Sequence, residues 1–123
     1  MRVLICGSRT WDKPIPVDIL VGGLASVYGS ANVTIIHGAA RGADSMASSA
    51  AHRHGVDCED YPADWDGDGK AAGAIRNQRM LDGGNPDVVF AFTDDLAASR
   101  GTADMVRRAR NAGLPVYVIG RAA

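Results

Sequence analysis

The segment VTIIHGAARGADSMASSAAHRHG, residues 33–55, decides the fold. It opens with a short apolar run at residues 33–37, passes through a glycine-containing turn, and continues as a helix-like segment that Gly55 ends. A short apolar run is typical of a buried strand, and a glycine just past a helix is typical of its C-terminal end. The segment therefore predicts a strand that leads through a tight turn into a helix.

The same alternation of short apolar runs and helix-like segments continues along the whole chain. Predicted strands cover residues 1–6, 33–37, 56–61, 88–92 and 116–119, and predicted helices cover residues 16–28, 42–54, 74–81 and 102–112. Residues 61–73, rich in glycine and aspartate, are expected to form the longest loop. Strands that alternate with helices indicate a parallel sheet with helices on both faces. We therefore predict an α/β fold with a parallel sheet of about five strands, in one domain over residues 1–123.

Composition and charge narrow the functional classes. The 123 residues carry a formal net charge of −1 and a pI of about 6.2, so no overall positive field attracts nucleic acid or an anionic membrane. The chain has 11 arginines against 2 lysines. Arginine suits bidentate binding of phosphate, although a GC-rich coding sequence gives the same bias. The apolar run at the start is too short for a signal peptide or a membrane span. Cys6, Cys58 and the three histidines lack metal-ligand spacing, so we expect no metal. With only two cysteines and no apolar segment long enough to span a bilayer, we also expect no membrane contact and a cytoplasmic location. We expect no cofactor.

Glycine-containing turns with an arginine follow three of the predicted strands. In open α/β sheets, ligands bind beyond the carboxyl ends of the strands. The candidate ligand-binding residues at this edge are Gly7, Ser8 and Arg9 after the first strand, His37, Gly38, Arg41, Gly42 and Asp44 after the second, and Thr93, Ser99, Arg100, Gly101 and Thr102 after the fourth. Glycines let the backbone approach a ligand, free amides at a helix start attract anions, and arginines bind phosphate oxygens. The set predicts a phosphate site, although each arginine alone could equally form a surface ion pair with an aspartate.

Four motifs carry a resemblance to a known superfamily. HGAARGADSMA at residues 37–47 and SRGTADMVRRARNAGLPVYVIG at residues 99–120 resemble the SLOG superfamily, which unites the Smf/DprA DNA-processing proteins with the lonely-guy cytokinin-activating enzymes. GSRTW at residues 7–11, with YPADW and GKAAGAIRNQRM between residues 61 and 80, is similar to its YspA-type branch, related to YpsA and often phage-encoded. The resemblance covers nearly the whole chain. It implies a Rossmann-like three-layer α/β/α fold, a nucleotide-like ligand and a homodimer.

The resemblance also adds site residues and reveals one departure. In the resemblance, Gly7, Ser8 and Arg9 match the first ligand loop, and Gly38, Arg41, Gly42 and Asp44 match the second. Arg76 and Asn77 match the Arg-Asn of the middle helix, and Gly101 and Thr102 match the phosphate-cradling Gly-Thr. The lonely-guy enzymes carry a catalytic glutamate three residues after that threonine, where this chain has Met105. Asp104 lies one position away, so on a helix it is expected to point elsewhere. This departure weakens the interpretation of the chain as a phosphoribohydrolase.

Three functions follow from these observations. The first is binding or sensing of a nucleotide or a nucleotide-derived phosphate ligand. The second is a nucleoside-phosphate N-glycosidase that uses Arg76 and Thr102 for phosphate and Asp44 or Asp104 as its carboxylate. The third is single-stranded DNA binding in the Smf/DprA manner, against which the acidic pI argues because such proteins need a basic track.

Several smaller patterns have competing interpretations. Residues 64–69 match the first six positions of a calcium loop, but Ile75 stands where a bidentate glutamate is required. Trp65 is equally suited to stacking on a base and to holding the loop down as an apolar plug. Ser8 and His37 lack a third group for nucleophilic catalysis, and the absence of G-x-G-x-x-G after the first strand argues against NAD chemistry. Alternatively, Arg76 forms a surface bridge to Asp82 or to the acidic loop. In a ligand site, its replacement by alanine is instead expected to weaken binding and leave the melting temperature nearly unchanged.

Overall fold

Parallel strands joined by helices make up the computed structural model, which describes residues 1–120. In chain order the elements are β1 (Arg2–Gly7), α1 (Pro14–Tyr28), β2 (Thr34–His37), α2 (Ala43–Arg53), β3 (Asp57–Asp60), α3 (Trp65–Asp68), α4 (Ala72–Gly84), β4 (Val88–Phe92), α5 (Arg100–Asn111) and β5 (Val116–Ile119). Short 3₁₀ turns at Ser30–Asn32 and Gly69–Ala71 precede β2 and α4. The predicted α/β fold with a five-stranded parallel sheet is confirmed for the described residues. The predicted domain ends at residue 123, and its last three residues lie outside them.

The strand order is β3-β2-β1-β4-β5, and every neighbouring pair is parallel. The chain runs outward from β1 to β2 and β3, crosses back past β1 to β4, and then continues outward to β5. The order therefore reverses between β1 and β4, where Gly7 lies opposite Phe92 at the carboxyl ends. A crevice at such a switch point is the usual ligand position in open α/β sheets.

The residues of β1 show how the sequence builds three layers. Successive side chains of a strand point to opposite faces of the sheet. Val3 and Ile5 therefore pack in one apolar cluster with α1 and α2, while Leu4 and Cys6 pack in a second cluster with α4 and α5. All four side chains are buried. An unbroken apolar run is what a central strand covered on both faces requires.

The segment between β3 and β4 differs most from the sequence prediction. The loop predicted for residues 61–73 instead contains α3 and a 3₁₀ turn, and the helix predicted for residues 74–81 extends over Ala72–Gly84. The Asp64 carboxylate accepts a hydrogen bond from the Gly67 backbone N–H at 2.9 Å and caps α3. Aspartate favours both loops and helix N-caps, so this composition predicted a loop where capped helical turns form.

Other differences from the predicted boundaries are small. α1 begins at Pro14, two residues early, because proline is tolerated in the first turn of a helix. α5 begins at Arg100, also two residues early, and β3 covers only Asp57–Asp60. Gly55 has a φ of +68° just past α2, as the helix-ending glycine was predicted to have. Within residues 1–120, no helix combines the length and apolar character needed to cross a bilayer.

Candidate functional site

A cavity of about 750 Å³ opens at the switch point between the carboxyl ends of β1 and β4. The turn after β1, the start of α4 and the connection from β4 to α5 form its walls. Eleven of the fifteen predicted ligand-binding residues line it, namely Gly7, Ser8, Arg9, Asp44, Arg76, Asn77, Thr93, Ser99, Arg100, Gly101 and Thr102. Residues far apart in the sequence therefore meet at one edge of the sheet.

The four remaining predicted residues lie beside this cavity. Gly38 and Arg41 line a smaller cavity of about 290 Å³, which shares Arg9 and Arg76 with the larger one. His37 and Gly42 line neither of the two cavities. The turn after β2 thus contributes to the site mainly through Asp44 and through its contacts with Arg76.

Two glycines allow the turns after β1 and β2 to touch. Gly42 has a φ of +75°, a left-handed conformation that favours glycine, and a Cβ atom there would collide with the carbonyl oxygen of Ser8. A Cβ atom on Gly7 would meet the Phe92 carbonyl oxygen and would lie 2.7 Å from the Cβ atom of Ala43. Glycine at these positions brings β1, β4 and the start of α2 into direct contact.

Asp44 organises the turn between β2 and α2. Its Oδ2 atom accepts hydrogen bonds from the backbone N–H groups of Gly38 at 3.0 Å and Ala40 at 3.3 Å. Burial raises the pKa of Asp44, against the opposing effects of the Ala40 hydrogen bond and the positive charge of Arg76. Asp44 lies in the first turn of α2, so a ligand anion at this helix start would meet a protein carboxylate.

Arg76 joins α4 to the turn after β2. Its Nη1 donates to the Gly38 carbonyl oxygen at 2.5 Å, its Nε donates to Asn77 Oδ1 at 3.1 Å, and only 9% of the residue is exposed. The alternative of a surface bridge to Asp82 is wrong, because Arg76 is buried and its side chain donates to Gly38 and Asn77 instead. Burial lowers the pKa of Arg76, Asp44 opposes that shift, and the nearby charge of Arg9 adds to it. Arg9 and Arg76 therefore both contribute positive charge to the cavity wall.

Asn77 and Asp104 connect α4 to α5. Asn77 Nδ2 donates to the Gly101 carbonyl oxygen and to Asp104 Oδ2, both at 3.0 Å. Arg107 and Arg108 also donate to Asp104, at 2.5 and 2.8 Å. Burial raises the pKa of Asp104, but its hydrogen bonds with Arg108 and Asn77 and the neighbouring positive charges outweigh burial and hold the pKa below its usual value. This carboxylate is therefore held ionised.

The expected direction of Asp104 is wrong. The sequence predicted that this side chain points away from the site, whereas Asp104 lines the cavity. Met105, which stands where a lonely-guy enzyme has its glutamate, is fully buried in the core between α5 and the sheet. Asn77 donates a hydrogen bond to Asp104 from the facing helix. This bond holds the Asp104 side chain at the cavity wall.

The start of α5 presents free backbone donors. Ser99 precedes the helix but does not cap it, because its hydroxyl is hydrogen-bonded to the Thr93 hydroxyl at 2.9 Å. The amide groups of Arg100, Gly101 and Thr102 have no acceptor among residues 1–120. All three residues line the cavity. Free amides and the positive end of the helix dipole make this the place in the site best suited to an anion.

His37 is a buried histidine that hydrogen-bonds its own turn. Its Nδ1 accepts a hydrogen bond from the Ala39 backbone N–H at 3.1 Å, which places the ring proton on Nε2. Burial lowers the pKa of His37, while Asp44 and Asp60 oppose the shift. The Ser8 hydroxyl is bonded to the Thr10 hydroxyl at 2.7 Å. These contacts do not form the nucleophile–base pair weighed from the sequence.

The cavity also includes residues that were not predicted as ligand contacts. Those with polar or aromatic side chains are Trp65, whose role was left open, Asp104, which was considered only as a catalytic carboxylate, and Thr10, Trp11, Lys70, Asp94 and Asp95; the others are Cys6, Ala40, Gly73, Ala74, Met80 and Ala98. Asp94 and Asp95 directly follow Thr93 at the end of β4, so the same edge argument could have found them. Lys70 and Trp65 come from the segment whose helical turns were not predicted. Four basic and four acidic side chains line the cavity in all, and no cluster of three or more potential metal ligands occurs in residues 1–120.

Comparisons with known proteins agree with this architecture. The family model described as YAcAr, the YspA, cpYpsA-related SLOG family, matches residues 1–67. Gene 61 protein of Mycobacterium phage D29 is 41% identical over 126 residues, which cover 97% of this chain and 96% of the phage protein. DNA processing protein A (DprA) from Streptococcus pneumoniae has a similar structure, with a TM-score of 0.79 at 20% identity over 98% of this chain. This chain spans 50% of that DprA chain, and the likeness shows the fold alone.

Proposed function

The chain belongs to the YAcAr family, the YspA, cpYpsA-related branch of the SLOG superfamily, and on that premise we propose that it binds a nucleotide or nucleotide-derived phosphate ligand in the cavity at the switch point. One observation carries the proposal. The uncapped first turn of α5 faces a cavity whose walls include four basic side chains, Arg9, Lys70, Arg76 and Arg100. Free helix amides next to arginines are a common arrangement for phosphate binding.

The phosphate is assigned to α5 rather than α2 on electrostatic grounds. Both helices begin at the cavity edge, but α2 has Asp44 in its first turn and α5 has no acidic residue in its own. A carboxylate repels a phosphate, whereas the amides of Arg100, Gly101 and Thr102 attract it. Arg76 has guanidinium hydrogens beyond those that bind Gly38 and Asn77, and charge-assisted bonds of this kind contribute about 1.5–3 kcal/mol each.

The balance of charges favours a nucleotide over a simple anion. The cavity also contains Asp44, Asp94, Asp95 and Asp104, so acidic and basic side chains are equal in number. A polyanion would be repelled by these carboxylates, whereas pentose hydroxyls and the amino groups of a base donate hydrogen bonds to them. A ligand with one phosphate end and one hydroxyl-rich end suits both sets of groups.

Titration calorimetry with AMP, cyclic AMP, ADP-ribose and adenosine tests the proposal. We expect at least one phosphate-bearing probe to bind more tightly than adenosine. Arg100→Ala is expected to weaken that binding about tenfold, which corresponds to about 1.4 kcal/mol. Arg110→Ala is the matched control, because Arg110 is an exposed arginine of the same helix that lies outside both cavities. Absence of binding for every probe, or equal loss in both variants, would contradict the proposal.

A second function, hydrolysis of a nucleoside phosphate at its N-glycosidic bond, is favoured by Asp104 alone. Its ionised carboxylate at the cavity wall could stabilise the positive charge that develops on the sugar. Chromatography of AMP after long incubation with concentrated protein would then show free adenine, and Asp104→Asn would abolish its release. A chromatogram without adenine removes this candidate and leaves the binding proposal intact.

The charges of the site do not favour single-stranded DNA. A DNA-binding groove needs an excess of basic side chains along its length, and here four carboxylates offset four basic groups. A gel shift at low salt would detect such binding cheaply. A salt-sensitive shift at micromolar protein would replace the nucleotide proposal with a nucleic-acid one.

We further propose that two copies of the chain associate through the outer side of α1. This helix has a single charged residue, Asp18, which binds Arg53 and His54 of the same chain. Ile15, Ile19 and Val27 are 69%, 67% and 76% exposed. They follow one another at i, i+4 spacing through Gly23, which has open space above it. An uncharged stripe with a glycine at its middle can approach a second copy of itself without like-charge repulsion.

A further inference from the structure

Trp65 is a large, half-exposed aromatic residue at the wall of the ligand cavity. It belongs to neither apolar core cluster of the described residues, lines both cavities and is 49% exposed. A side chain at position 73 would reach the ring, since a Cβ atom on Gly73 would lie 3.6 Å from Trp65 Cη2. An apolar plug would be buried in the core, so this degree of exposure argues against that interpretation and leaves an open aromatic surface beside the ligand site.

Arg9 covers this surface only weakly. The guanidinium carbon of Arg9 lies 5.5 Å from the centroid of the Trp65 ring, and Arg9 is exposed. Because Arg9 is exposed to solvent, its side chain has room to move away from the ring.

We propose that the aromatic base of a nucleotide stacks on Trp65 in place of Arg9, while the phosphate of the same nucleotide lies at the first turn of α5. The inference rests on the proposed function for the phosphate end and adds the base, so the ligand class becomes nucleotides rather than sugar phosphates. Trp65 and the start of α5 line the same cavity of about 750 Å³, a volume within the usual range for small-molecule sites.

Stacking of a base on Trp65 is expected to be more favourable than the Arg9 contact that it replaces. Expressed as an equilibrium constant, an exposed cation–π contact contributes about twofold to fivefold. Stacking of a base on an aromatic side chain contributes about fivefold to 150-fold. The displaced Arg9 guanidinium remains at the wall of the cavity that includes the first turn of α5, so it can bind the phosphate of the same nucleotide.

Calorimetry with AMP and ribose 5-phosphate separates the base from the phosphate. We expect wild-type protein to bind AMP about fivefold to 150-fold more tightly than ribose 5-phosphate. Trp65→Leu should reduce this ratio to near one by weakening AMP alone, and Trp65→Phe should keep most of it because a ring remains. Ribose 5-phosphate should bind all three proteins equally. Because Trp65 is half-exposed, both variants should melt close to the wild type, which thermal unfolding checks.

Each result decides between the proposals. If ribose 5-phosphate binds and Trp65→Leu leaves the ratio unchanged, or weakens both probes equally, base stacking is wrong and the phosphate site stands. If neither probe binds the wild-type protein, the proposed function fails and stacking fails with it. Tryptophan fluorescence gives a readout without a variant: AMP, unlike ribose 5-phosphate, should quench emission, because Trp11 is 5% exposed and Trp65 is the accessible indole. Absence of quenching at saturating AMP would also overturn the stacking.

Discussion

At the scale of single residues, buried polar side chains fix the shape of the site. Asp44 holds the turn after β2 through two backbone N–H groups, Arg76 holds the same turn through the Gly38 carbonyl oxygen, and Asn77 holds the start of α5 through the Gly101 carbonyl oxygen. Each of them is at most 9% exposed. Residues of this kind position the backbone whether or not a ligand is bound, so their replacement should change stability as well as binding.

Arg76→Ala tests this dual role. The sequence alone predicted a nearly unchanged melting temperature, but burial of Arg76 and its bond to Gly38 reverse that expectation. The variant leaves the Gly38 carbonyl oxygen without its donor and Asp44 without a neighbouring cation, so we expect a loss of about 1.5–3 kcal/mol in the free energy of unfolding. Denaturant titration measures it. Arg79→Ala is the control, because Arg79 is exposed and lies over Tyr61 at 6.0 Å; equal loss in both variants would contradict the structural role.

His37 should make stability depend on pH. Because burial lowers its pKa below the ordinary value of 6.5, the unfolded chain binds a proton at a higher pH than the folded protein does. The stabilisation is therefore complete above pH 6.5 and is lost as the pH falls through and below that value. Asp44, whose pKa burial raises above 3.8, acts in the opposite sense and reduces this decline, whereas Asp18 and Asp104, whose pKa values are lowered from 3.8, act only at lower pH. We expect the melting temperature to decline between pH 7 and pH 5.

His37→Asn isolates this effect. Asparagine does not titrate, and its side-chain oxygen can accept the Ala39 N–H that His37 Nδ1 accepts in the wild type. The variant should lose most of the decline in melting temperature between pH 7 and pH 5. His52→Asn, on the exposed side of α2, should keep it. A decline that persists unchanged in His37→Asn would assign the pH dependence to other groups.

At the scale of elements, apolar strands were predictable and the helical turns before α4 were not. The strand predicted at residues 88–92 coincides with β4, and the strand predicted at 116–119 coincides with β5. Both were predictable because a short, continuous apolar run in an α/β chain is typical of a buried strand. Residues 64–71 have no apolar periodicity and contain three aspartates and two glycines. The Asp64 carboxylate caps the Gly67 amide and stabilises these turns. This cap was not predicted because aspartate and glycine are also typical of loops.

Gly7→Ala tests the contact between β1, β4 and α2. A Cβ atom there would meet the backbone oxygen of Phe92 and the Cβ atom of Ala43, and neither belongs to a flexible side chain that can move aside. Overpacking of this kind costs about 1–3 kcal/mol or more, which thermal unfolding would detect. Gly73→Ala is the control, since its new Cβ would make only an ordinary 3.6 Å contact with Trp65. In helix α4 it should stabilise by about 0.5–1 kcal/mol. Similar destabilisation in both variants would show that the close contact at Gly7 does not determine the loss of stability.

At the scale of the whole molecule, the helices on the two faces of the sheet differ in the polarity of their outer sides. The outer sides of α4 and α5 carry charged residues, among them Arg79, Asp82, Arg107 and Arg110, whereas the outer side of α1 exposes Ile15, Ile19 and Val27. A helix that is apolar all round is typically covered on both sides. The inner side of α1 packs Val17 and Val21 against the sheet, so the outer side is where a second copy would bind.

Ile19→Asp tests the α1 interface. The balance between buried apolar area and the cost of association determines the protein concentrations at which it must be measured. Six Ile and Val side chains, three from each copy, would together contribute roughly 6–12 kcal/mol when the exposed two thirds of each is buried. Association costs about 4–15 kcal/mol in lost freedom of motion, so the dimer should depend on concentration. Light scattering across the micromolar range should show wild-type protein rising toward twice the 12.8 kDa of one chain. Ile19→Asp should stay monomeric because a carboxylate would be buried unpaired at the contact, while Ile75→Asp, at a 41% exposed position on α4, should behave as the wild type. A wild-type protein that stays monomeric throughout, or an Ile19→Asp variant that dimerises normally, would contradict the α1 interface.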